Sequence, residues 1–464
     1  MSTITSTVSP HPVTGKTVRP GVNLAADLPR DYAGLRAHFQ PLFEQIAAGS
    51  VDRELERDLP FEAVRSLDEA GFGTLRVPAD HGGPEVSLVD FFRLLMDLAE
   101  ADSNVAHIYR SHYGFLEALR FQPRQIQEAW YPRVLAGATV GNASTEKGGN
   151  ALGALNTTLT ETGDSADGGG RVELNGTKFY ATGSIYSDYT RVSAARVGPD
   201  GAALEGRQFA VAATDAEGVT LEDDWDGFGQ KLTGTGTAVF SRVPLAPNAV
   251  MDRVPGSAEA VHEAAFFQLV LLAVLAGIAR ASRRDTAAVI RSRKRTFNTG
   301  SGLTFSQDPI IQEAAGRIAA KAFTAEATVV HAARSLDEGV AAAVASGADR
   351  PDFSGTLPAE LYGAEVAVEH AMITVPELGI GAAQDLFLTV GASATSTSKA
   401  LDRHWRNAQT VATHNPIAFR ARSLGDYWIN GTLPEGLNAI GDAKNAESTE
   451  STESNETAKG ASQR

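Results

Sequence analysis

The chain has 464 residues, 41 Lys and Arg against 56 Asp and Glu, a formal charge of −15 and no cysteine. That length suits one large domain or several smaller ones around a sizeable core. The missing cysteines exclude disulfides, iron–sulfur clusters, thiolate zinc sites and a cysteine nucleophile, and they fit a reducing compartment; the acidic balance argues against nucleic acid or an anionic membrane as main partner.

Residues 1–26 are rich in Ser, Thr, Val and Pro without the apolar core of a secretory signal, and they read as a disordered extension. Residues 27–135 read as a helical domain. Leu35, Phe39, Leu42, Phe43 and Ile46 fall at helical spacing, and Pro60 opens a second segment with Phe61, Val64 and Leu67 that stops at Gly71. A Gly/Pro-rich connector leads to an amphipathic helix marked by Phe91, Leu94, Leu95 and Leu98. His107 and His112 lie in the helix-like run VAHIYRSHYGFLEALR, five apart, so they do not stack as an i, i+4 metal pair. No metal site is expected.

From Thr139 the period shortens, and residues 136–250 read as a β domain. Leu155, Thr157 and Leu159 alternate, as do Val172 and Leu174; Asn175-Gly176 carries a two-residue hairpin signal; Phe209–Ala212, Val219–Leu221 and Ala238–Phe240 are short strands. The turns GNASTEKGGN and TGTGT carry unusual polar chemistry for plain loops.

Residues 251–441 read as a second helical domain in which Ala and Val dominate, as in bundle packing. The apolar run Ala264–Ala279, broken by Gln268 and Gly277 and followed by Arg280, is too short to span a bilayer and predicts a buried core helix. A soluble cytoplasmic protein is therefore expected. Residues 442–464 hold no aromatic or large aliphatic side chain and read as a disordered tail. Near the end, small residues from Val390 to Ser396 precede LDRHWRNAQTVATHNP, residues 401–416. Small residues before a helix N-terminus can seat an anionic group, and a histidine follows at the helix end; a basic last turn complementing the helix dipole would give the same composition.

The order helical, β, helical resembles the acyl-CoA dehydrogenase superfamily over about residues 27–435. Leu59-Pro60, Gly71, Val77-Pro78 and Gly82-Gly83 resemble its N-terminal pattern, Ser144-Thr145-Glu146 its first flavin loop, Lys178-Phe179-Tyr180-Ala181-Thr182 its second, and Arg295-Thr296-Phe297 its phosphate-binding arginine with a following aromatic. The strings GNASTE, NGTKFYATG, DDWDGFGQKLTGTGT and LDRHWRNAQTVATHNP together resemble the reduced-flavin monooxygenases of that superfamily, the dibenzothiophene, sulfone and sulfinate enzymes. The resemblance implies an α+β fold: an N-terminal helical domain, a central β-barrel domain and a C-terminal four-helix bundle. It implies reduced FMN, with FAD as the alternative, delivered by a separate NAD(P)H-flavin reductase, and oxygen transfer through a C4a-hydroperoxyflavin to a small, organosulfur substrate in a homotetramer.

Flavin contacts carry over to Asn142, Ala143, Ser144, Thr145, Glu146 and Lys147, to Lys178, Phe179, Tyr180, Ala181 and Thr182, and to Trp225, Arg295, Phe297, Ala392, Ser393 and His414. Of these, Thr182 would hold flavin N5, His414 would steer the distal oxygen and Asn142 would fix the flavin edge, with His107, Ser111 and His112 on the substrate side. Ser111 stands where dibenzothiophene monooxygenases carry Tyr, which implies a different substrate pocket. A dehydrogenase-like enzyme with Glu259 or Glu263 as base, and a non-catalytic flavin-fold subunit, remain alternative readings. The commonest dehydrogenase subgroup places its catalytic Glu where Thr413-His414-Asn415 stand here.

Overall fold

The computed structural model describes residues 19–147, 155–164, 170–198, 200, 202–293 and 297–434. Arg295, the tail 442–464 and most of the N-terminal extension lie outside the described residues.

Six helices lead the chain: α1 (Tyr32–Ala48), α2 (Ser50–Glu56), α3 (Phe61–Glu69), α4 (Leu88–Ala101), α5 (Ser103–Leu119) and α6 (Arg124–Leu135). Helix α1 buries Leu35, Phe39, Phe43 and Ile46, the stripe its spacing predicts. Asp31 and Ser87 cap α1 and α4 by accepting from the backbone N–H groups of Gly34 and Asp90. Helix α5 differs, because every one of its residues is buried. Its polar side chains therefore need partners inside the protein. Glu117 takes an ion pair from Arg76 at 2.6 Å and a hydrogen bond from His262 at 2.8 Å.

Next come strands β1 (Val140–Ala143), β2 (Thr158–Asp164), β3 (Gly170–Lys178), β4 (Tyr189–Val197), β5 (Ala203–Ala213), β6 (Val219–Leu221), β7 (Ala238–Leu245) and β8 (Val250–Arg253). They form one mixed sheet in the order β6-β7-β3-β2-β4-β5-β8, with β1 alongside β4. Strands β1 and β2 pair in parallel with successive stretches of β4, Tyr189 to Val192 and Ala195 to Val197. Asn175-Gly176 is not a hairpin turn but a bulge inside β3. The Asn175 side chain accepts from the Arg242 N–H at 2.7 Å, and a Cβ on Gly176 would meet Thr157 at 2.5 Å. Pairing on both edges of β3 overrides the local turn preference there.

Three long helices, α7 (Ala258–Ser292), α8 (Pro309–Ser346) and α9 (Ala359–Val390), pack on one another, and the shorter α10 (Asp402–Ala412) and α11 (Ile417–Asn430) complete the bundle. Helix α7 is the one described helix long and apolar enough to cross a membrane, but 89% of its most apolar window is buried inside the protein. At Gly277 an added Cβ would stand 2.3 Å from the Cβ of Ala99, so the break in the apolar run marks the close crossing of α7 and α4. One hydrophobic core joins both helical layers and the sheet. A cavity lies where β1, β4 and β5 face α5, α7 and the end of α10.

Candidate active site

The cavity measures about 630 Å³ and gathers His107, Asn142, Ser144, Thr145, Tyr180, Thr182, Trp225 and His414 from the sequence-predicted set.

Thr182 sits on a sharp corner, with Tyr180 at φ 65° and Gly183 at φ 81°. Its hydroxyl bonds that of Thr235 at 2.8 Å, Thr235 bonds Thr233 at 2.7 Å, and Thr233 donates to the Gln230 carbonyl at 3.0 Å. A carbonyl can only accept, so the single proton of each threonine points down the chain. Thr182 Oγ1 therefore turns a lone pair toward the cavity.

The histidines are polarised as firmly. His107 Nδ1 donates to Gln230 Oε1 at 3.1 Å, which leaves Nε2 as an acceptor. His414 Nδ1 accepts from the Asn415 amide at 3.2 Å, which leaves its proton on Nε2. Burial and then the Arg110 charge push the His107 pKa down to about 4; desolvation by the surrounding protein, Arg110 and His107 act on His414 in the same downward direction, although that residue keeps solvent contact. Both rings are neutral at pH 7, one offering a lone pair and the other an N–H.

Several predicted residues stand elsewhere. His112 does not line the cavity: its Nδ1 accepts from the Val140 N–H at 3.2 Å and its Nε2 donates to the Gly73 carbonyl at 2.6 Å, so both nitrogens are used in joining α5 to the backbone around it. Ser111 lies behind Thr182 and donates to its carbonyl at 3.2 Å. Ala143 and Ala181 are core residues. Lys178 is fully buried beneath the cavity floor, donating to Glu146 at 2.7 Å and to the Ser144 carbonyl at 3.2 Å. Burial works to raise the Glu146 pKa, but Lys178 and the N–H groups of Asn156 and Thr157 hold it down to about 2. Lys147 covers the Phe179 ring at 3.3 Å, outside the cavity.

Phe297, Ala392 and Ser393 form a separate group at the junction of α7 and α9, where a Cβ on Gly391 would touch the Phe297 ring at 2.9 Å. None of them lines the cavity. The basic residues of α10 do not serve an anion there either. Arg403 and His404 bind Asp285 at 2.8 Å each, and Arg406 binds Glu54 at 2.6 Å. They clamp α10 to its neighbours and fix His414 at its end.

Sequence reasoning missed Arg110, Gln230, Thr235, Phe267, Gln268 and Asn415 in the cavity wall. Two signals were present: the TGTGT turn holds Thr235, and Gln268 interrupts an otherwise apolar run because its Oε1 accepts from Asn415 at 2.5 Å. Nothing local marked Arg110. Among the described lining residues Glu263 is the one carboxylate, and it is clamped by Arg191 and Arg253. Glu259 stands behind it, 3.7 Å from Arg191 and 2.7 Å from Gln122.

Residues 35–138 match the family described as acyl-CoA dehydrogenase, N-terminal domain, and residues 269–419 match acyl-CoA dehydrogenase, C-terminal domain. The chain is 27% identical over 395 residues to the probable FMNH2-dependent monooxygenase SfnC of Pseudomonas putida, covering 84% of this chain and 93% of that protein. It is 26% identical to the dibenzothiophene monooxygenase of Mycolicibacterium goodii, covering 83% and 91%. FMN-bound TdsC from Paenibacillus sp. A11-2 superposes with a TM-score of 0.76 at 25% identity over 86% of this chain and 98% of that one. Methanesulfinate monooxygenase MsuC from Pseudomonas fluorescens shares the fold, with a TM-score of 0.73 at 24% identity over 86% and 97%. Two domain matches covering more than half of the residues, on either side of the central sheet, place this chain in the acyl-CoA dehydrogenase superfamily.

Proposed function

We infer that the protein is a flavin-dependent monooxygenase that takes reduced FMN from a separate NAD(P)H-flavin reductase and transfers one oxygen atom to a small organic substrate of the organosulfur kind. The observation that carries this reading is the cavity's acid–base inventory. Abstraction of a C–H proton wants a positioned base. Among the described lining residues the one carboxylate is tied up by two arginines, and Thr413-His414-Asn415 present a neutral N–H donor where the commonest dehydrogenase subgroup places its carboxylate base.

The residues fit the flavin. Reduced flavin carries a proton on N5, and the lone pair that the Thr182 chain presents can accept it. Asn142, Ser144 and Thr145 on one wall and Trp225 on another supply polar edges and an aromatic flank. Bound reduced FMN would supply the two electrons that activate dioxygen, one atom of which enters the substrate while the other leaves as water. The chain's own residues orient and protect. Thr182 would hold the N5 edge, the Nε2–H of His414 would donate to negative charge developing on oxygen, and the lone pair on His107 Nε2 would accept from the substrate side. The rings of Phe209 and Phe267 line the same space and reduce its contact with water, while Phe228, which also lines it, is itself half-exposed.

Arg295, Phe297, Ala392 and Ser393 would then serve the phosphate end of a neighbouring subunit's flavin in a homotetramer. Support for that comes from the exposed position of Ala392 and Ser393, away from their own chain's cavity. The test supplies FMN, a generic flavin reductase and NADH with a panel of sulfides, sulfones and sulfinates, and follows products gaining one oxygen by mass spectrometry. Anaerobic titration should show tighter binding of reduced than of oxidised FMN. A yellow protein holding stoichiometric flavin that an acyl-CoA bleaches would overturn the reading.

A further inference from the structure

We propose that the substrate carries an anionic two-oxygen head, of the carboxylate or sulfinate class, and that Arg110 is the residue that binds it. This rests on the reading of the cavity as a substrate pocket and names the chemistry of its occupant.

Arg110 lies on α5, one turn beyond His107, and is about nine-tenths buried yet lines the cavity. Two contacts, both to Phe267, fix its guanidinium. Its Nε donates to the Phe267 carbonyl at 3.1 Å, and its central carbon lies 4.7 Å from the centre of the Phe267 ring. That ring in turn is seated on Gly114, where a Cβ would come within 2.2 Å of it. Any larger residue at 114 would push the ring, and the arginine with it, out of place.

What Arg110 lacks is a counter-charge. Among the described residues no carboxylate lies within ion-pair distance of it, and its two terminal nitrogens have no protein partner. The contrast lies in the same cavity, where Arg191 and Arg253 share Glu263 and Glu259. Burial lowers the Arg110 pKa to about 10, so the group remains charged at pH 7. A buried cation without a partner is costly, and its neighbours His107 and His414 are neutral and cannot answer it. A guanidinium held by Nε and stacked on a ring presents its remaining N–H groups as a planar fork, the geometry that matches two oxygens on one atom. A neutral aromatic sulfide would leave that fork unmatched.

The test measures binding to the purified full-length protein, without flavin, by calorimetry with matched pairs: ethanesulfinate against ethyl methyl sulfone, and propionate against propionamide. The wild type should bind each anion roughly 10- to 100-fold more tightly than its neutral partner. Arg110→Gln should abolish that preference, and Arg110→Lys, which keeps the charge but loses the fork, should retain part of it. Circular dichroism and the melting temperature of both variants establish that they fold, and Arg110→Lys carries the test if Arg110→Gln does not. Equal affinities in the wild type, or an anion preference that survives in Arg110→Gln, would overturn the proposal. So would a loss of reduced-FMN affinity in Arg110→Gln with the anion preference unchanged, since the cation would then serve the flavin. The preference is read without flavin or turnover, so it can fail while the monooxygenase reading stands, and the reverse.

Discussion

Replacing Thr235 by Val should erase the protein's discrimination between reduced and oxidised FMN. The residue makes no predicted contact with the flavin itself; it acts through Thr182, 2.8 Å away, and is in turn held by Thr233 at 2.7 Å. In the wild type the proton of Thr182 is committed to Thr235, so only a lone pair would face N5 of a flavin bound as proposed. Reduced flavin donates its N5–H to that lone pair, a hydrogen bond worth about 0.5–1.5 kcal/mol net, whereas oxidised flavin sets two acceptors face to face and leaves both unsatisfied at about 1–3 kcal/mol. A gap of about 2 kcal/mol corresponds to roughly 30-fold tighter binding of the reduced form. Valine matches threonine in shape but accepts nothing, so the Thr182 hydroxyl becomes free to turn and donate to an unprotonated N5. The ratio of the two dissociation constants should fall to within a few-fold of unity, chiefly through tighter oxidised binding, while Thr235→Ser keeps the wild-type ratio. Fluorescence titration of oxidised FMN and anaerobic titration of photoreduced FMN give the two constants. A Thr235→Val protein of unchanged melting temperature and unchanged ratio would refute the polarity argument.

His414→Ala should still bind reduced FMN but should lose a donor worth about 1.5–3 kcal/mol, so the yield of oxygenated product per NADH should fall roughly 10- to 100-fold while hydrogen peroxide, measured with peroxidase, accounts for the difference. The pKa values of His107 and His112 are depressed to about 4 from 6.5 in the folded protein, so the unfolded chain takes up their protons first. Their contribution is therefore intact above pH 6.5 and is lost as pH falls toward 4, with a slope of up to ~2.7 kcal/mol per pH unit for two protons; urea unfolding at pH 7, 6 and 5 measures it, and His112→Gln should reduce it. Lys178→Met strands Glu146 with its backbone donors alone and should cost about 3–5 kcal/mol, read as a lowered urea midpoint.

The first helices were legible from their 3.6-residue apolar stripes: α1 buries Leu35, Phe39, Phe43 and Ile46 and α3 buries Val64 and Leu67, whereas Leu42 is only partly buried and Phe61, at the start of α3, is exposed. Thr182, Asn142, Trp225 and His414 were legible as members of strings whose combination is specific, and the structure brings all four to one cavity. The bulge at Asn175-Gly176 was not legible, because turn propensity is local while pairing with β2 and β7 is set by residues up to about seventy positions away. Nor was the fate of α5. Its sequence has the polar residues of a helix with one wet face, but strands on one side and α7 on the other bury it entirely. Whether His112 meets substrate or backbone depends on that enclosure, and so does the value of an uncompensated charge at Arg110. Spacing along a single helix carries neither.

One residue ties these features together, and it belongs to a loop. Gln230 stands in the left-handed region at φ 51°, where a non-glycine residue persists only if its surroundings fix it. Four bonds do so. Its N–H donates to Asn407 of α10 at 2.6 Å, its side-chain amide donates to Ser103 at 3.2 Å, its Oε1 receives the His107 proton at 3.1 Å, and its carbonyl ends the threonine chain at 3.0 Å. The acceptor character of Thr182 and the acceptor character of His107 Nε2 thus have a single origin. Helix α10, clamped by Asp285 and Glu54, fixes the backbone of Gln230 through Asn407 and also carries His414 at its far end. The arginine-rich stretch of α10 therefore contributes to the site as a brace that sets the proton polarity of the groups facing the cavity, while the cation that faces the cavity from the helical side is Arg110 of α5.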